Sequence, residues 1–422
     1  MTANEVEIVT IGDELLLGFT IDTNAAHLAR ELSSIGVVIR RRATVGDTAP
    51  EIVSAVREAL DRTGAVITTG GLGPTSDDLT KPSIASLFGR GMRLDEEHVA
   101  WMEQRWLQRF GRRMPESNRA QAMLPEGARK LVNNHGSAPG IWLEDERGRW
   151  VAMLPGVPRE MRGMLADTLL PLLRERVAAS GEPTVVRSRT LRTTGVAESL
   201  LADRLDPVRD TLGDVTLAYL PAPDGVDIRL TTRGLPSARA DATLDHAARI
   251  ARSRIGNSIY AEGDTDMPTV VLGICRERRL TIAVAESCTG GLLGARLTSI
   301  PGSSDVVLGG VIAYANDVKR TLLGVTEADL AEHGAVSEPV ARQMADGARS
   351  HLGASIGIAI TGVAGPGGGT PDKPVGTVWI AAALANGVHT RLLRLLGDRE
   401  EIRRRATQSA LELVRRTLIG ED

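Results

Sequence analysis

The feature that most constrains this chain is a strand that runs without a break into a glycine-rich turn: AVITT, residues 65–69, leads directly into GGLGPTSDDLTK, residues 70–81. A short apolar and β-branched run of this kind suits a strand buried on both faces. The same rhythm precedes it. VEIVTIG reads as a strand, and residues 23–35 carry apolar positions at spacings of three and four until Gly36 stops them. VVIRRRATVG reads as the next strand and EIVSAVREAL as a helix with Pro50 in its first turn. Strands alternating with helices build βαβ units, and these predict a largely parallel sheet covered on both faces. Ligands collect at the carboxyl ends of such strands, so residues 12–14 and 70–78 should line one edge.

At 422 residues the chain is long enough for two or three domains. The first rhythm continues to about residue 171. Residues 172–262 change to a strand (VVRSRTLRTTG), a helix (ESLLADRL), a hairpin turning on PDG and a helix (ARADATLDHAARIARSRIG), the pattern of a small separate α/β unit. Arg187, Arg189 and Arg192 are read as sharing one face of that strand, as phosphate contacts or as a charged, solvated edge. Residues 263–422 resume the mixing of helices and strands and form a second layered α/β domain, in which Ser337 is expected to cap a helix. The polar stretch AEGDTDMP is the clearest linker.

Charge excludes several classes. Lysine and arginine number 50 against 53 acidic residues, a net charge of −3, and aromatic residues are only 3%. That balance argues against nucleic acid or an anionic membrane as partner. Cys275 and Cys288 alone cannot make a disulfide framework, no apolar run reaches the length of a membrane helix, and no secretory pattern precedes the first strand. A cytoplasmic location is expected. The seven histidines show no paired metal spacing.

Three loops hold candidate chemistry. Residues 70–81 lack the final glycine-lysine-hydroxyl step of a phosphate-binding P-loop, but their glycines would let a phosphate approach the backbone. Asp77 and Asp78, with Asp13 and Glu14 on the same edge, are hard oxygen donors suited to a divalent cation; equally, one of the adjacent aspartates could simply cap the next helix. MLPGVPREM brings Glu160 either to this edge or to an ordinary helix start. In AESCTGG, Ser287 stands between a strand and a helix, where free amides could hold an oxyanion, or it is merely a cap. With no histidine motif nearby, Lys319 of AYANDVK is the candidate base, and its alternative is an exposed amine. Ser303 and Ser304 of GSSD, and Thr361, Gly362 and Lys373 of the loop ITGVAGPGGGTPDKPVG, are further candidate contacts.

GDELLLGFTIDTNAAHLARELSSIG, TTGGLGPTSDDLTK and MLPGVPREM resemble the amino-terminal half of the competence/damage-inducible CinA family, and AESCTGG, AYANDVK, GAVSEPVA and ITGVAGPGGGTPDKPVGTVW resemble its carboxy-terminal half. The resemblance implies an α/β protein of three parts. These are a molybdopterin-binding-like ADP-ribose pyrophosphatase domain (1–171), a KH-like domain (172–262) and a nicotinamide mononucleotide deamidase domain (263–422). It implies Ser287 as nucleophile, Lys319 as base, Tyr314 and Ser304 as assistants, and Thr361 and Gly362 on the ribose phosphate or oxyanion. In the first domain it implies Asp13, Glu14, Asp77 and Asp78 around a divalent cation (Mg, Mn or Co), and Asn24, Gly70, Gly71 and Gly73 on the substrate. No cofactor is expected for the deamidase. The nucleotides nicotinamide mononucleotide and ADP-ribose, and a second copy of the chain in a homodimer, are the implied partners. The rival expectation is a pterin- or nucleotide-binding, competence-associated protein with no chemistry in its first domain.

Overall fold

The computed structural model describes residues 4–179 and 184–420. Packing divides the chain into two compact units, Met1–Arg187 with Thr232–Ala242, and Ser188–Thr231 with Thr243–Asp422.

In the first unit a six-stranded sheet runs in the order Val38–Val45, Glu5–Ile11, Ala65–Thr69, Trp150–Leu154, Gly140–Glu144, Arg129–Leu131. The first four strands are mutually parallel and Gly140–Glu144 runs antiparallel to both its neighbours, so the largely parallel sheet expected is mixed through one reversed strand. Alternation of side chains separates two cores. Ile8 and Ile67 face the helix Thr23–Ser34 and the segment around Met161–Leu173, while Val9, Ile11 and Val66 face the helix Ala49–Thr63. The parallel strands end together at Ile11 and Thr69, and this common end presents the two loops expected from the sequence.

A small sheet follows, ordered Thr216–Ala222, Gly225–Pro236, Thr184–Thr193, Ile259–Glu262. Leu191, Ile228 and Leu230 pack on Leu201 and Leu205 of the helix Glu198–Leu205 and on Leu244 and Ala248 of the helix Ser237–Ile255. The arginine reading is corrected here. Thr184–Thr193 is an inner strand, not an edge, and Arg187 and Arg189 have the opposite parity to Arg192. Arg189 pairs with Asp245 and Glu262, and Arg192 with Asp227, so these charges are internally compensated.

The last sheet is ordered Val307–Ile312, Ile282–Glu286, Ile356–Gly362, Thr377–Leu384, Gly387–Arg394, with the first three strands parallel and the last two antiparallel. Its central strands alternate large and small residues. Ile282, Val284, Ile356, Ile358 and Ile360 pack beneath the helices Met267–Arg278 and Arg399–Ile419. Ala283, Ala285 and Ala359 face the helix Glu338–His351. The small face lets that helix approach closely: a Cβ on Gly357 would stand 1.9 Å from the Ala345 carbonyl oxygen. Ser337 occupies the cap position of that helix, yet its hydroxyl donates to the Gly334 carbonyl instead of accepting a helix amide. The strand Val307–Ile312 ends before Tyr314, and Asn316 begins the helix Asn316–Leu323 that carries Lys319.

Candidate active sites

At the strand ends of the first unit lies a cavity of about 550 Å³ lined by Glu14, Asn24, Gly70, Gly71, Gly73, Asp77 and Asp78. Two of its glycines are dictated by contact. Gly70 (φ +112) passes so close to Ile11 that a Cβ would lie 2.1 Å from its carbonyl oxygen, and at Gly71 (φ +65) a Cβ would meet the Thr80 hydroxyl at 2.0 Å. Asn24 is buried, donating through Nδ2 to the Gly156 carbonyl at 2.7 Å and to the Thr69 hydroxyl at 3.2 Å. Those acceptors fix the amide's orientation and leave Oδ1 buried in the wall without a partner.

The four expected metal ligands do not come together. Asp13 is absent from the cavity wall; its Oδ1 accepts the Asp47 amide, and its own amide donates to the Asp47 carboxylate at 3.0 Å. Asp78 is engaged by its own loop, accepting the Gly73 amide at 2.8 Å, the Thr75 amide at 2.9 Å and the Thr75 hydroxyl. It caps no helix, because the following helix Thr80–Leu87 starts from Leu79 with no side-chain cap. Among the described residues no three His, Cys, Asp or Glu side chains gather closely enough to hold an ion between them. The wall therefore fits a cation shared between one or two carboxylates and substrate phosphates, as magnesium prefers, and not an all-protein cage. Glu160 satisfies both of its readings: it lies in the first turn of the helix Pro158–Met164, lines the cavity and accepts from Asn133 at 2.8 Å.

Sequence reading missed Asp47 and Gln121, which also line this cavity, and Lys81, which reaches the Gln121 carbonyl from behind the wall. Lys81 is buried and donates to the carbonyls of Ala120 at 2.7 Å and Gln121 at 3.2 Å. Burial pushes its ammonium down to about 8, with Asp78 opposing. A lysine directly before Pro82, in an otherwise small and apolar helix, was the available signal.

In the second unit a cavity of about 280 Å³ opens at the ends of the parallel strands and brings together Ser287, Tyr314, Lys319, Thr361 and Gly362. Lys319 is fully buried rather than the exposed amine of the alternative reading. Its Nζ donates to the carbonyls of Ala313 at 2.8 Å and Tyr314 at 3.3 Å, and burial lowers its pKa from the ordinary 10.5. Ser287 is half-buried, and its amide is pinned to the Ile360 carbonyl at 2.9 Å. Among the described residues no hydrogen bond joins its hydroxyl to Lys319, a separation common before substrate tightens a site. Cys288 lines the same cavity, but burial pushes its thiol up to about 12 and removes it as a nucleophile.

The helix after Ser287 does not supply a free anion site. It begins at Leu292, and the buried Glu286 carboxylate already accepts the amides of Gly291 (3.1 Å), Leu293 (3.0 Å) and Gly294 (2.8 Å). Ser287 is not the cap, a position held by Gly291. Thr361 directs its hydroxyl to the Ala335 carbonyl at 2.7 Å, and Lys373 donates to the His333 carbonyl at 2.6 Å and is not among the residues of the wall. Ser304 is corrected as well. It is exposed, lies in the turn Ser303–Asp305 before the strand Val307–Ile312, and is absent from the wall, whereas the cavity is at the far end of that strand. Six strand residues separate the two ends by about 17 Å. Asn316 and Arg399 on the wall were not foreseen; Arg399 donates to the Gly365 carbonyl at 2.6 Å and to the Tyr314 hydroxyl at 3.3 Å.

Comparison with known proteins agrees with this architecture. Three family models match: one described as "Probable molybdopterin binding domain" over residues 7–175, one as "Damage-inducible protein CinA KH domain" over 188–261, and one as "CinA C-terminal domain" over 264–418. A CinA-like protein of Gemmatimonas aurantiaca is 63% identical over 99% of this chain and 97% of its own. CinA-like proteins of Salinibacter ruber (46%, covering 98% of this chain and 99% of theirs) and Frankia casuarinae (45%, 98% and 96%) are similar throughout. The protein is thus α/β with molybdopterin-binding-like, KH-like and CinA carboxy-terminal domains built on mixed sheets, and among the described residues no helix is long and apolar enough to cross a membrane. With matched models across its length and relatives alike from end to end, the chain belongs to the CinA family.

Proposed function

We propose that the second cavity hydrolyses the carboxamide of nicotinamide mononucleotide to nicotinic acid mononucleotide and ammonia. The observation that carries this reading is the fully buried Lys319 sharing a cavity with Ser287. A neutral amine offers two N–H groups and one lone pair. The two carbonyls of Ala313 and Tyr314 take the former, and the lone pair is left to receive a proton. Ser287 Oγ attacks the carboxamide carbon as its proton passes to Lys319 Nζ; the C–N bond then breaks as that proton leaves with ammonia. Water cleaves the acyl-serine ester, giving the carboxylate and restoring the hydroxyl. Arg399, a cation on the same wall, fits the 5′-phosphate, and Tyr314 helps fix that arginine. Ser287→Ala and Lys319→Met should each abolish ammonia release from nicotinamide mononucleotide; turnover retained in either would remove that residue from the mechanism.

For the first cavity the reading is hydrolysis of ADP-ribose to AMP and ribose 5-phosphate. Glu14 and Asp77 would hold a magnesium, manganese or cobalt ion jointly with the diphosphate, and the ion would neutralise charge and activate water. Asn24 and the Gly70, Gly71 and Gly73 backbone would seat the substrate. The commitment of Asp78 and Asp13 to local hydrogen bonds favours the rival, a nucleotide- or pterin-binding site without chemistry. AMP release that is lost on chelation and in Asp77→Ala supports the enzyme; binding without release supports the rival. Both activities serve pyridine nucleotide salvage in a cytoplasmic homodimer, the latter tested by light scattering.

A further inference from the structure

A cavity of about 690 Å³ in the second unit is walled by Arg192, Arg296, Arg399, Arg403 and Arg404. Its carboxylates do not balance them. Asp224 is held bidentately by Arg404 at 3.0 and 2.9 Å, and Asp266 caps the helix Met267–Arg278 through Thr269. Arg192 is paired with Asp227. Of the remaining three, Arg296 is held by neutral acceptors, the Thr407 hydroxyl at 2.8 Å and the Gln408 amide oxygen at 2.7 Å. Among the described residues, Arg403 is held by the Thr289 carbonyl, at 3.2 and 2.6 Å, and Arg399 by a carbonyl and a phenol. Asp266 and Glu400 are the wall carboxylates left to offset three guanidiniums, so positive charge remains in excess. Burial lowers the pKa of Arg296, against the attraction of Asp224 and Asp266. Planar guanidiniums suit phosphoryl oxygens, and the volume falls in the range of small-molecule sites.

We propose that this cavity binds an organic diphosphate, for which ADP serves as the probe, its linked phosphoryl groups lying against Arg296, Arg399 and Arg403. Because Arg399 also stands in the wall of the Ser287 cavity, an anion here competes for the same guanidinium and couples the two sites. Only this coupling rests on the amidase reading; the binding does not.

The test is calorimetric titration of the full chain with ADP in chelator, at two salt concentrations. Wild type should show a salt-sensitive site that Arg403→Gln and Arg296→Gln each weaken at least tenfold, with one site fewer per chain at the concentrations used. Melting curves identify any variant that fails to fold, and Arg296→Lys keeps the charge while losing the planar fork. No site in wild type at millimolar ADP, or titrations of both folded variants that match wild type, would overturn the proposal. Ser287→Ala should retain ADP binding while losing amide turnover, and a wild type that binds ADP here but releases no ammonia counts against the amidase alone.

Discussion

Replacing Lys81 by methionine tests whether the buried amine beside the first cavity is tuned as its surroundings require. Its Nζ donates to the carbonyls of Ala120 and Gln121, and its pKa falls from 10.5 to about 8. Holding a proton in that site costs the folded state about 3 kcal/mol at neutral pH relative to the unfolded chain. Methionine removes this cost but leaves two carbonyls unpartnered, about 1 kcal/mol each. Lys81→Met should therefore be about 1 kcal/mol more stable than wild type at pH 7. The sign then reverses. Between pH 8 and 10.5 the unfolded chain binds the proton that the folded one has lost, so wild type gains stability with rising pH and the variant does not. By pH 10 the relative stability should have moved by about 2–3 kcal/mol in favour of wild type. Four of the five tryptophans, Trp101, Trp106, Trp142 and Trp150, lie in the first unit, so urea unfolding followed by tryptophan fluorescence reports on it. A stability difference unchanged between pH 7 and 10 would refute the assignment.

Other perturbations read the second unit. Glu286→Ala strips an acceptor from three amides, one of them buried, and should lower the unit's stability by about 3 kcal/mol in calorimetry; a loss under about 1 kcal/mol would mean that water replaces the carboxylate. The kcat/KM for amide hydrolysis should rise with pH as Lys319 deprotonates, along a limb below the ordinary lysine range because burial lowers its pKa. A profile that falls throughout from pH 6 to 9 would exclude the amine as base. Gly71→Val forces a side chain onto Thr80 at a left-handed backbone position and should abolish ligand binding in the first cavity, measured by calorimetry with ADP-ribose.

Local pattern was legible where local physics decides. Strand Ala65–Thr69 and helix Glu198–Leu205 lie where their apolar runs place them, and the loops at residues 70–79 and 287–291 sit at strand ends because each connects a strand to the helix that follows it. What escaped depends on partners distant in sequence or on chain direction. Asp13 turns to Asp47, 34 residues away, and no spacing announces that pairing. Ser304 and Tyr314 are close in sequence, but a strand intervenes and carries them to opposite ends of the sheet. Glu286 carried a faint signal, a carboxylate ending an apolar strand just before a glycine pair. Arg399 carried none, since one arginine among several at a helix start is ordinary until the fold sets it beside Tyr314.

The Glu286 carboxylate has a consequence for how a substrate can lie. Its negative charge fills the electropositive mouth of the short helix, so a phosphate seated there would be repelled instead of welcomed. On the amidase reading, the substrate's phosphate would turn toward Arg399 and away from this carboxylate, leaving its cationic pyridinium head, which bears the carboxamide, to face Ser287.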